Sequence, residues 1–186
     1  MAKLHDSITP EFHKWIKEQK VFFVASAPLS AEGHVNLSPK GHDCLRVIDD
    51  HTVAYLDMTG SGNETSAHIA ENGRITLMWC AFEGAPRIFR LYGRGEVVLP
   101  DTDRWAELSP LFDMLPGARQ IVVNHVERVQ TSCGFAVPFM DYKEERPALK
   151  KYAEAKGVDG MLAYRREKNM ISIDGLQTPL ASTYED

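Results

Sequence analysis

Three polar clusters carry the residue types that could hold an anion: Ser38-Pro39-Lys40-Gly41, Thr59-Gly60-Ser61-Gly62-Asn63-Glu64-Thr65, and Arg87-Ile88-Phe89-Arg90-Leu91-Tyr92-Gly93. The middle cluster follows an apolar, β-prone run and opens a segment, 63–72, that reads as a short helix ended by Gly73. The first N–H groups of a helix lack partners and carry the positive end of its dipole, so a glycine-rich turn leading into them suits phosphate. Gly60 and Gly62 would serve equally well as plain turn residues. Ser61 and Glu64 have capping-box spacing, with Ser61 as cap and Glu64 reaching back. A phosphate dianion also needs charge-assisted donors, and Lys40 is the best candidate in this chain.

The elements that must position these clusters follow from pattern. Residues 9–19 predict a helix with Thr9 as N-cap, Pro10 in the first turn, and Phe12, Trp15 and Ile16 on one face. Residues 21–27 predict a buried strand, and 34–40 a half-buried one that alternates Val35, Leu37 and Pro39 with Asn36, Ser38 and Lys40. Residues 41–50 read as polar connection, with His42 and Asp43 on the surface. Strands are predicted over Thr52–Met58, 74–82 and 87–99, the last two joined by the turn Glu83-Gly84-Ala85-Pro86. In the third of these, Phe89, Leu91 and Val97 point one way and Ile88, Arg90, Tyr92 and Arg94 the other. That second face is either solvated or the wall of a site.

Further on, 101–112 predicts a helix interrupted near Pro110, and 118–129 a long strand whose phase slips near Asn124-His125, as at a bulge. A short strand is expected at 134–138, and a helix at 147–156 that stops at Gly157. The tail 161–180 shows no regular pattern. Turn-separated short strands predict a mainly β protein, a barrel of about six strands with peripheral helices. One domain is expected over residues 1–186, with a core at about 21–138 and an extension at 139–186.

Composition narrows the function classes. The chain has 44% hydrophobic and 25% charged residues and a net charge of −5, an ordinary globular balance. It contains no basic block, which argues against nucleic-acid binding. No apolar run approaches the ~20 residues of a membrane span, and the N-terminus lacks the apolar core of a signal peptide. Cys44, Cys80 and Cys133 are widely spaced and form no CxxC pair. Neither a metal ribbon nor a disulfide scaffold is indicated, and a reducing cytoplasm is the expected location. There is no HExxH, GxSxG or Walker lysine loop, and no convincing carboxylate pair.

Arg87-x-x-Arg90-x-x-Gly93, after a strand containing Trp79, resembles the Arg-Gln-Val-Arg-Val-x-Gly strand of the pyridoxamine 5′-phosphate oxidase family. The order of parts matches as well: a strand ending in lysine, a strand, a Thr/Ser loop with a short helix, then a hairpin with paired arginines. The resemblance covers roughly residues 21–98 and implies an FMN-binding split barrel. It places the cofactor against Lys40, Met58, Thr59, Ser61, Gly62, Asn63, Thr65, Ile88 and Arg90. It also implies a homodimer with the flavin site between two barrels, and Lys40 on the FMN phosphate.

Several positions depart from the family pattern. Val35 stands where an arginine is usual, Asn63 at a basic position of the loop, and Ile88 where a glutamine meets the flavin. The C-terminal tryptophan and arginine motif that holds the B6 phosphate has no counterpart, since the last tryptophan is Trp105 and Arg165-Arg166 fits no such pattern. The resemblance therefore implies an FMN-dependent oxidoreductase acting on a small substrate rather than a true pyridoxamine phosphate oxidase. The alternatives are a non-catalytic flavin- or haem-binding protein and a cofactor-free barrel used for interaction. Fold alone does not choose among these.

Overall fold

The computed structural model describes residues 2–184 and builds eight strands into one antiparallel sheet that curls on itself. In chain order these are β1 (Lys3–His5), β2 (Phe22–Ser26), β3 (Asn36–Lys40), β4 (Leu45–Val47), β5 (Thr52–Met58), β6 (Arg74–Cys80), β7 (Ile88–Val98) and β8 (Ala118–Ser132). The helices are α1 (Pro10–Glu18), α2 (Glu64–Asn72), α3 (Asp103–Leu108) and α4 (Ala148–Lys168). Spatial order is β3-β2-β6-β7-β8-β5-β4, with β1 also paired to β8. The two strands beyond the expected six, β1 and β4, are three residues each, too short to show an alternating pattern.

Strand β8 organises the curvature. It pairs with β7 from Ile88↔Ser132 to Val98↔Ile121, with β5 along its first part and with β1 near its end. Two bulges bend it. Tyr92 faces Arg128 and Gly93 faces Val126, so Glu127 is the extra residue; the break lies there and not at Asn124-His125. Asp57 faces Gln120 and Met58 faces Ala118, so Arg119 is the extra residue of the second.

Inward side chains follow the strand period. Phe22, Trp79 and Phe89 form an aromatic core, with Phe22 stacked on Trp79 at 5.6 Å and Phe89 edge-on to Trp79 at 5.8 Å. Helix α1 closes this end, burying Phe12 and Ile16 one turn apart. The Thr9 hydroxyl accepts from the Phe12 N–H at 3.3 Å, as an N-cap should. Helix α2 packs across β2, β6 and β7 and ends at Gly73, whose left-handed φ of 73° suits a C-cap.

Three expectations change. Helix α2 begins at Glu64 with Asn63 in the cap position, and the Asn63 side chain makes no capping bond, so Ser61 and Glu64 form no capping box. Residues 134–138 are not a strand, because Gly134 turns left-handed (φ 65°) against the Arg87 backbone and leaves Phe135 exposed. The tail is partly helical: Gly157, with a non-helical φ of 66° and ψ of −179°, ends a first helical segment as expected, but a second segment follows it to Lys168. Ala153 and Met161, one from each segment, both bury near Gly117.

Strands β7 and β8 approach so closely at Gly93 that an added Cβ would strike the His125 carbonyl and Asn124 Oδ1. Gly93→Ala should therefore cost about 1–3 kcal/mol of stability, as overpacking does. Gly60→Ala, with nothing within 4 Å of the new carbon, should be near neutral. Denaturant unfolding of the two variants checks this, and equal midpoints would contradict the close approach.

Candidate functional site

A cleft of about 1090 Å³ opens where β3 and β5 end and β7 begins. Lys40, Met58, Thr59 and Gly60 line it, as do Trp15 of α1 and Gln19, the cap that follows α1. The turn 82–87 and the irregular segment 140–146 complete the walls. The alternation of β3 turns Lys40 inward beside Phe22, its cross-strand partner. Three residues expected at the cofactor, Lys40, Met58 and Thr59, thus come together here.

Lys40 is held by a carboxylate. Its Nζ lies 2.9 Å from Asp57 Oδ1, and the Arg119 Nε lies 2.8 Å from Asp57 Oδ2. Asp57 and Arg119 are only 3% and 4% exposed. The bulge explains the arrangement: the extra residue in β8 aims the Arg119 guanidinium at the neighbouring strand. Gln120 Nε2 donates to Asp57 Oδ2 at 2.8 Å and to Asn63 Oδ1 at 2.9 Å, while the Ser66 hydroxyl donates to Gln120 Oε1 at 3.2 Å. The loop and the start of α2 are thereby tied to the same carboxylate. Arg119 Nη1 is buried with no partner among the described residues.

The ionisation states follow from this setting. Burial alone would raise the Asp57 carboxyl, but the Arg119 guanidinium and then the Lys40 ammonium outweigh it and hold the group well below the usual carboxylate range. Burial pushes the Cys44 thiol, on the cleft wall, up to about 12, against the opposing pull of Lys40. The Tyr55 hydroxyl, fully enclosed, is likewise raised well above its ordinary value by burial and then by Asp57. Neither group ionises near neutrality, so the charge of this buried cluster sits on Lys40, Asp57 and Arg119.

The 59–63 loop is clamped by the tail. The Thr59 N–H and hydroxyl both donate to the Gly117 carbonyl, at 2.9 and 2.7 Å, and the hydroxyl oxygen accepts from Arg165 Nε at 2.8 Å. Arg165 Nη2 also donates to the Ala118 carbonyl at 2.8 Å. Asn169 Nδ2 donates to the Gly60 carbonyl at 3.0 Å, and Asn63 Nδ2 donates to the Asn169 carbonyl at 3.3 Å. Ser61 is exposed at the loop tip, and the Glu64 carboxylate folds back against Gly62.

The other expected residues point elsewhere. Thr65 is buried, and its hydroxyl accepts from Asn36 Nδ2 at 2.8 Å. Ile88 and Arg90 lie on the face of β7 opposite the core, where Arg90 Nη1 donates to Ser132 Oγ at 3.2 Å and Tyr92 to Gln130 Oε1 at 3.1 Å. One chain does not bring that face to the cleft. His42, expected on the surface, lines the cleft instead. It holds a left-handed φ of 67°, with Nδ1 3.3 Å from Glu145 Oε2 but poorly aligned for a hydrogen bond. Asp57 could have been found as an acid within an otherwise apolar strand, a position that demands buried cations. Arg119, Arg165 and Asn169 gave no local signal.

Comparison with known proteins bears on the family and the fold. A family model described as pyridoxamine 5′-phosphate oxidase matches residues 8–133. The pyridoxamine 5′-phosphate oxidase family protein ustO of Aspergillus flavus is 37% identical over 193 residues, which span 95% of this chain and 77% of that protein. Among solved structures, a variant of the HupZ protein of Group A Streptococcus superposes with a TM-score of 0.52 at 23% identity, covering 67% of this chain and 99% of that one. A candidate pyridoxamine 5′-phosphate oxidase of Lactobacillus delbrueckii gives 0.51 at 20% identity, covering 67% and 94%. The sheet is the FMN-binding split barrel that the sequence pattern resembles. Among the described residues no helix is long and apolar enough to cross a membrane.

The Asp57 cluster has a pH signature. Its folded pKa lies below the unfolded value of about 3.9, so its stabilisation is present above that value and is lost as pH falls towards the depressed folded one. Asp57→Asn lacks this contribution and leaves two cations unpaired, so it should cost about 3–5 kcal/mol at neutral pH. The gap to wild type, followed by urea unfolding, should narrow as pH falls below about 4. A gap that widens in acid would contradict the assignment.

Proposed function

The chain belongs to the pyridoxamine 5′-phosphate oxidase family, and on that premise we propose that it is an FMN-binding flavoprotein that works as an oxidoreductase on a small substrate. The observation that carries the reading is the cleft of about 1090 Å³ with Lys40 on its inner wall, fixed by a buried cluster whose two cations outnumber its one carboxylate. The volume is at the upper end of small-molecule sites, and the donor set suits a phosphorylated ligand. Trp15, Met58, Phe82, Met140 and Leu149 offer apolar surface to a flat ring system.

The bound flavin would supply the redox chemistry, and the chain's own groups bind, orient and shield it. Lys40 takes the phosphate, with Gly60 on the same cleft wall, while Ser61 and Gly62 stand at the loop tip outside the cleft lining. The Thr59 hydroxyl hydrogen is committed to Gly117, so Thr59 shapes the site and donates nothing to the ligand. Asn63 and Thr65 act from behind, through Gln120 and Asn36. Ile88 and Arg90 face away from their own chain's cleft, which supports a homodimer in which one copy's β7 face meets the other's cofactor.

Titration with FMN and with riboflavin, which lacks the phosphate, tests the reading. Lys40→Ala should lose about 1.5–3 kcal/mol for FMN, roughly ten- to a hundredfold, and little for riboflavin. Equal losses for both ligands, or none, would overturn the phosphate assignment. Light scattering on the same samples should give two chains per particle, and a flavin-loaded monomer would overturn the shared site.

A further inference from the structure

Lys40 does not act as an isolated cation, and the group that sets its strength lies a layer deeper. Asp57 bears one negative charge and is gripped from both sides, by Lys40 Nζ at 2.9 Å and Arg119 Nε at 2.8 Å. Counted by itself, this buried cluster therefore carries one positive charge in excess, while carboxylates farther out on the cleft wall, Glu145 among them, stand beside Lys20, Arg87 and Arg146. Arg119 Nη1 has no acceptor among the described residues, although the residue is 4% exposed. Lys40 remains reachable, with its side chain 22% exposed on the cleft wall. Burying unpaired charge costs several kcal/mol per ion, so an arrangement that keeps one positive charge in excess is best matched by an anion at its open, Lys40 side.

We infer that Arg119 is a specificity-determining positioning residue: by engaging Asp57 from behind, it leaves the Lys40 charge free for an anionic ligand group without touching that ligand itself. This rests on the reading of the cleft as a site for a phosphorylated flavin. Without Arg119, Asp57 would neutralise Lys40 outright, and the preference for the phosphorylated ligand would fall although Lys40 and the loop were intact. Arg119 owes this place to the bulge opposite Asp57/Met58, which turns a residue of β8 towards the end of β5.

The test is the ratio of FMN to riboflavin affinity in variants that change the cluster's charge. Arg119→Met makes the cluster neutral and should lower FMN affinity roughly tenfold, the effect of one unit charge at short range in a partly buried site, with riboflavin unchanged. Arg119→Lys keeps the excess charge and should restore the preference. The double variant Asp57→Asn with Arg119→Met again leaves Lys40 as the one charge and should restore it too, which loss of packing would not do. Circular dichroism confirms that each variant is folded before titration, and the two restoring variants keep the test open if Arg119→Met does not fold. If the wild-type protein itself shows no preference for FMN, the phosphate reading falls and this inference with it. If the wild type prefers FMN and Arg119→Met does so equally, or if Arg119→Lys and the double variant both fail to restore the ratio, the inference alone is overturned.

Discussion

One buried carboxylate, Asp57, sets the constraint on which the site depends. A charge removed from water must be met by opposite charge and hydrogen bonds, and Asp57 finds both from two other strands. Lys40 comes from the end of β3, Arg119 from a bulge in β8, and Gln120 from the next residue of that strand. Gln120 then reaches Asn63 and Ser66 at the start of α2. The ends of three strands and one helix are thereby held in a single relationship. Lys40 on the cleft wall is thereby tied, through Asp57, to residues that lie behind it.

The glycine-rich loop does not owe its shape to its glycines. Neither Gly60 nor Gly62 adopts a left-handed φ, so backbone conformation does not require glycine at either place. The loop is instead shaped by contacts with distant residues, Gly117 on one side and Arg165 and Asn169 on the other. Arg165 and Asn169 belong to α4 and its cap, so the C-terminal region is part of the site's scaffold. Glu64 places a carboxylate near the N-terminus of α2, where the helix dipole favours negative charge. It is a rival there to any bound anion, and Lys40 on the cleft wall remains the stronger receptor.

Much of the fold was legible because local rules and burial agreed. Strand β5 and helix α1 lie where alternation, aromatic content and the Thr9 cap put them. Strand β7 turns Phe89 and Leu91 inward and Ile88, Arg90 and Tyr92 away, as a two-residue period requires. What was lost had no local signature. Strands β1 and β4 are three residues each and form through pairing with β8 and β5, and the helical segment beyond the break at Gly157 carries no amphipathic stripe that the sequence shows. In the site, Lys40, Met58 and Thr59 were visible as a strand-end lysine and the lead-in to a loop. Arg119 was not, because a bulge depends on the register of two strands and leaves no mark in either one. The capping-box spacing misled for a related reason: the Asn63 side chain was claimed by Gln120 and Asn169, so the helix started later than Ser61 required.

The central claim is that this barrel holds a flavin in the cleft beside Lys40. The absorption spectrum of freshly purified protein, followed by chromatography of whatever denaturation releases, tests it most directly. The account predicts flavin bands that travel with the protein and a released compound that co-elutes with FMN. A haem Soret band, or protein that stays colourless after incubation with FMN and removal of the excess, would contradict it.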